Sequence, residues 1–164
     1  MPDPIHALFD YHTWATLQLF DHCASLSPEM LDLTAPGTAG TILATFRHIV
    51  VADAMYLSRL THDYSLRITN GPELSLDELR ARFVANSEEW THVLNNLTAY
   101  PPDHPRNGDN DLGEVRNLLL TQAIHHGNDH RTHICSVLSV NGLGAPEFDA
   151  WLYWYDVKHV DLPD

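Results

Sequence analysis

Between Leu112 and Val140 the chain reads LGEVRNLLLTQAIHHGNDHRTHICSVLSV, with no proline and no period-two alternation, and Gly142 follows as a stop signal. At about 100° per residue, Leu112, Val115, Leu119, Ala123, His126, His130, His133 and Val137 fall within one narrow arc. That is a long amphipathic helix, and its apolar arc must be covered by neighbouring helices. Three histidines occupy positions that the pattern assigns to the core.

Three earlier segments carry the same periodicity. Before the long helix, Leu76, Leu79, Phe83, Trp90, Val93 and Leu97 recur every three or four residues. Ser75-Leu76-Asp77-Glu78 opens that segment as a capping box, with Ser75 at the N-cap and Glu78 three residues on. From about Thr41 to Thr61, Ile42, Phe46, Ile49, Tyr56, Leu57 and Leu60 form a stripe. Ala44, Val51, Ala52 and Met55 widen it, so this helix packs on more than one side. From about Pro4 to Leu26, Ile5, Leu8, Phe9, His12, Leu19, Cys23 and Leu26 share a face, and Pro28 and Pro36-Gly37 end the run.

The connectors hold the turn residues. His62 to Leu74 contains Asn70-Gly71-Pro72, and Tyr100 to Asp111 holds Pro101, Pro102, Pro105 and Gly108 and reads as a loop. An aromatic tail follows the long helix, with Phe148, Trp151, Tyr153, Trp154 and Tyr155. The expected fold is all-α: a four-helix bundle with a short C-terminal aromatic helix or tail, in one domain over residues 1–164.

Composition bounds the function. The longest apolar run is Ala150 to Tyr155, whereas a membrane span needs about 20 residues. Met1-Pro2-Asp3-Pro4 is not the start of a secretory signal, so the expected location is cytoplasmic. Nine Lys plus Arg oppose 22 Asp plus Glu, a net charge of −13, and Lys158 is the sole lysine. Phosphate backbones need clustered cations, so nucleic acid is not an expected partner. Cys23 and Cys135 form no CxxC pair and read as buried thiols.

Twelve histidines are the unusual count, and four lie between positions 125 and 133. His126 and His130, spaced i and i+4, stand about 6 Å apart on one helical face, within reach of a single metal ion. The zinc-protease form HExxH is absent, because Gly127 follows His126. A third ligand must come from another helix. His48, beside Ala44, Ala52 and Met55, is the first candidate, and His12 is the reserve. Asp53 lies about 140° around its helix from His48, which suits a supporting hydrogen bond or a buried ion pair. His133, Asp129 and Arg131 flank the pair and could support it through hydrogen bonds, and they read at least as well as helix surface and polar contacts of the bundle.

Tyr11-His12-Thr13-Trp14-Ala15-Thr16 resembles the Y-N-x-W-A-N opening of DinB/YfiT-like proteins. Thr41 to Leu60 resembles their second helix, and His126-Gly127-Asn128-Asp129-His130-Arg131-Thr132-His133-Ile134 their H-x-x-x-H-R-G-Q-I segment. The resemblance implies a four-helix bundle of metalloenzymes, with the ion held by His48, His126 and His130, and a homodimer. It further implies thiol chemistry: an S-transferase or isomerase using a low-molecular-weight thiol as cosubstrate. His12 and Thr16 stand where the pattern has Asn, and His133 where it has Gln, which puts the substrate in doubt and leaves the ligands alone.

Spacing predicts the topology. At 1.5 Å per residue, His48 lies roughly 10 Å into the second helix and the histidine pair roughly 24 Å into the fourth, in a bundle roughly 33 Å tall. The levels coincide only if these two helices are antiparallel. That requires the order up-down-down-up with a long crossover between the second and third helices, which the resemblance also implies. The His62 to Leu74 connector, spanning roughly 43 Å at full extension, is long enough. Three imidazoles leave a coordination position open, as catalytic sites do, and suit zinc or nickel. The alternative is a non-catalytic, metal-binding stress-response module.

Overall fold

The computed structural model describes residues 3–69, 74–100 and 112–160. The helices are α1 (Pro4–Cys23), α2 (Pro28–Leu31), α3 (Ile42–Thr61), α4 (Leu76–Asn95), α5 (Leu112–Val140) and α6 (Ala150–Leu152), the last running into a π turn at Tyr153–Val157. No strand occurs among the described residues.

Local chemistry sets the helix ends. The Asp3 side chain accepts from the N–H of Ile5, with Pro4 at the first helical position, and Thr41 caps α3 through the N–H of Ala44. Both arms of the Ser75–Glu78 capping box form on α4. α5 ends in a left-handed turn at Gly142 (φ +71°), where Gly142 N–H donates to Ser139 O at 3.2 Å and Leu143 N–H to Leu138 O at 3.0 Å. One element departs from expectation. Pro28, taken as a terminator, begins α2, because Ser27 before it is an N-cap that accepts from Met30 N–H.

Two buried clusters fix the helix directions. One gathers Leu19, Phe20 and Cys23 from the end of α1, Ile42 and Phe46 from the start of α3, Leu79 and Phe83 from the start of α4, and Ile134 to Leu138 from the end of α5. The other gathers Phe9, Leu57 and Leu60, Trp90 to Leu94, and Leu119 to Ala123, from the opposite end of each helix. α1 and α5 therefore run one way, and α3 and α4 the other: up, down, down, up. α3 packs between α4 and α5, and α1 packs on the same two helices from the other side. The parallel pair α3 and α4 requires the long crossover. Asn70-Gly71-Pro72 within that crossover lies outside the described residues, as does the Pro-rich loop after Tyr100.

The aromatic tail folds back on α1. Tyr11 Oη donates to Phe148 O at 2.5 Å, buried Tyr153 packs 5.1 Å from the Trp14 ring, and Lys158 pairs with Asp10 at 3.0 Å. Trp151 and Tyr155 stack on each other on the outer, exposed face.

Candidate metal centre

Because α3 and α5 are antiparallel neighbours, His48 meets the histidine pair at one level. His48 Nε2 lies 2.9 Å from His126 Nε2. The ring centroids stand 4.8 Å (His48–His126), 4.6 Å (His48–His130) and 4.4 Å (His126–His130) apart. One nitrogen from each ring lies within 4.8 Å of the others. A tetrahedral ion with zinc–nitrogen bonds of 2.0–2.1 Å needs its donors about 3.4 Å apart. The observed nitrogens bracket that separation, so the trio fits such an ion with small side-chain adjustments.

The site does not lie in the core, as the apolar arc suggested. His48 is exposed, and His126, His130 and His133 are half-buried. The buried face of α5 instead runs through Leu119, Leu120, Ala123, Gly127, Arg131, Ile134, Val137 and Leu138. This arc keeps Leu119, Ala123 and Val137 of the expected stripe and extends past them to the Gly127–Arg131 side, where α5 packs on α1 as well as on α3. The histidines are thereby left on the solvent side of the α3–α5 seam.

The electrostatics favour ligation. Burial, then the nearby His130 and His48, push His126 down to about 4. His130 is lowered by burial first, then by His48 and His133. Both imidazoles are bare at neutral pH, the form that binds metal. Among the described residues no carboxylate or thiolate joins the trio. Asp129 instead lies 3.4 Å from His125 on the exposed surface. His133 Nδ1 is 3.3 Å from His130 Nδ1, and the Tyr56 ring stands edge-on 5.7 Å from His126.

The remaining candidates go elsewhere. His12, the reserve ligand, is 2% exposed and sits in the core with its Nδ1 3.0 Å from Arg131 Nη1. Burial, then the Arg131 charge, hold its pKa well below the ordinary histidine value. Asp53 accepts from Trp90 Nε1 at 2.8 Å rather than meeting the histidines, and burial raises its carboxyl to about 7. Cys23 and Cys135 are free, and burial raises them to about 12 and about 11. Arg131 is not on the surface but a polar contact of the bundle, 1% exposed and paired with His12 and Thr16. Its position four residues after Gly127 and three before Ile134 was the available signal, since all three lie on the arc that packs.

Fold and site together define a class: an antiparallel-seamed helical bundle that gathers imidazoles from facing helices to a point where they can hold a metal ion. The chain belongs to the DinB family, whose pattern it matches over residues 1–157. Among curated proteins no relative matches it. No helix among the described residues is long and apolar enough to cross a membrane.

Proposed function

We propose that this protein is a metal-dependent enzyme, acting as one cytoplasmic domain over residues 1–164, in which His48, His126 and His130 hold one divalent ion, zinc or nickel. The carrying observation is the trio itself: nitrogens within 4.8 Å, drawn from two helices, on the exposed side of their seam. A divalent ion on neutral imidazoles supplies Lewis acidity, which turns a thiol or a water into a better nucleophile near neutral pH.

The chain's own residues set the rest. Burial keeps His126 and His130 unprotonated and ready as donors. The exposure of His48 leaves the site open to a small molecule from the solvent side. That openness favours turnover over a closed, non-catalytic metal module. A low-molecular-weight thiol as cosubstrate, in S-transfer or isomerisation, is the chemistry that the family resemblance suggests for such a site. A homodimer completes the reading, with exposed Trp151, Tyr155 and Val160 as its contact face.

The test is a thiol-transfer screen with electrophilic acceptors. Thiol loss is followed with the metal-loaded chain, after chelation and after metal is restored. Turnover that disappears on chelation and returns with metal supports the proposal. A metal-loaded chain that consumes no thiol in the presence of any acceptor contradicts the transferase reading.

A further inference from the structure

Directly behind the histidine trio, on the inward side of the same two turns of α5, lies a second arrangement built from buried groups. Arg131 is 1% exposed, His12 2% and Thr16 fully buried. Arg131 Nη1 lies 3.0 Å from His12 Nδ1 and donates to Thr16 Oγ1 at 2.9 Å. Thr16 Oγ1 in turn donates to the carbonyl of His12 at 2.8 Å. A guanidinium only donates, so His12 Nδ1 must be the bare, accepting nitrogen, which places the ring proton on Nε2. One turn earlier, Gly127 lets the His12 ring lie directly against the α5 backbone. A Cβ there would overlap His12 Cε1 and stand 2.7 Å from Nδ1.

The registers coincide. His126 and His130 are one residue before Gly127 and Arg131, so the ligand pair and the anchored pair ride on the same two turns with adjacent faces. A helix can slide or rotate in a bundle packed only by aliphatic side chains, because such contacts are non-directional. A hydrogen-bonded guanidinium in a buried seat permits one depth and one rotation. Burying that charge, 1% exposed, opposes folding. Its hydrogen bonds do not offset that cost in full, since Arg131 Nε and His12 Nε2 have no partner among the described residues, so cohesion alone does not account for the arrangement.

We propose that Arg131 is a positioning residue for His126 and His130: seated on His12 and Thr16, it turns α5 so that the ligand pair faces His48. The consequence for metal rests on the reading that the three histidines hold an ion. The positioning itself is testable without one.

Arg131→Met and His12→Asn are made in the full chain. Ring-to-ring nuclear Overhauser contacts between His48 and His126 are measured in metal-free protein, and zinc affinity by competition with a chromophoric chelator. Arg131→Met should keep its far-ultraviolet helical signal, lose the ring contact and bind zinc about 10–100-fold more weakly. His12→Asn, whose amide oxygen still accepts from Arg131, should keep both. Leu94→Ala, an equally buried loss on α4, should lower Tm and leave zinc affinity unchanged, which separates positioning from mere stability. Should Arg131→Met fail to fold, Arg131→Lys, whose ammonium ends one bond short of the Nη1 position that meets both His12 and Thr16, is expected to show the same loss. Retention of the ring contact and of wild-type zinc affinity without the guanidinium overturns the proposal. If the variant loses the ring contact and wild-type protein binds no zinc, the positioning stands and the metal reading falls.

Discussion

Replacing glycine by alanine inside a helix ordinarily stabilises it by about 1 kcal/mol. Gly127→Ala should do the reverse. The new methyl would overlap Cε1 of the buried His12 ring, 2.7 Å from Nδ1 and 3.3 Å from Arg131 Nη1. The ring cannot swing to solvent, so α1 and α5 must part or the ring must leave its rotamer, at about 1–3 kcal/mol for overpacking. The Arg131–His12 contact at 3.0 Å is then lengthened or lost, and a hydrogen bond to a charged group is worth about 1.5–3 kcal/mol. Set against the helix gain, the net loss is about 1.5–5 kcal/mol, or a Tm lower by roughly 3–20 °C in a chain of this size. The assay is urea unfolding followed by circular dichroism, repeated in a His12→Ala background. With the ring gone, the same Gly127→Ala change should become neutral or stabilising by up to about 1 kcal/mol. A Gly127→Ala protein more stable than wild type, or an equal loss in both backgrounds, would refute the packing of His12 on Gly127.

Three further outcomes follow from the same geometry. Asp53 has its carboxyl raised to about 7 against about 3.9 in an unfolded chain. The folded state therefore binds the extra proton between these values, and stability falls as pH rises through that window. Asp53→Asn, which keeps an acceptor for Trp90, should remove this slope and gain about 2–4 kcal/mol relative to wild type above pH 7; parallel pH–stability curves for the two proteins would contradict it. Chelation should lower Tm while leaving the helical signal at 25 °C nearly intact, because both buried clusters close without the trio; loss of the helical signal would make the ion structural. Light scattering at micromolar concentration should give twice the 18.5 kDa chain mass, and a single-chain mass would reject the homodimer.

Axial position was legible in the sequence, and rotation about the helix axis was not. The long helix spans Leu112–Val140 as its pattern indicates, and the Ser75–Glu78 box opens α4. The heights of His48 and the histidine pair along their helices required an antiparallel seam, and the clusters show one. Rise per residue is a constant, so such arithmetic transfers directly to three dimensions. The packed face depends on neighbours, and Gly127 and Arg131 add nothing to an apolar stripe although both are buried. Counting apolar side chains therefore found Leu119, Ala123 and Val137 but missed the Gly127–Arg131 side of the packed arc, and placed the histidines in the core. Asp53 and His12 show the same limit. Each sits on a recognisable stripe, but their partners Trp90 and Arg131 belong to other helices. α2 was missed for a local reason, since Ser27-Pro28 carries start and stop signals at once.

The most direct test of the central claim is the metal content of purified protein, by elemental analysis of wild type and His126→Ala side by side. His126 supplies a nitrogen 2.9 Å from that of His48 and within the same 4.8 Å cluster as His130, and two imidazoles seldom retain an ion through purification. The account predicts one divalent transition-metal ion per wild-type chain and essentially none in the variant. Full occupancy in His126→Ala, or a wild-type chain that takes up no divalent ion when one is supplied, would contradict it.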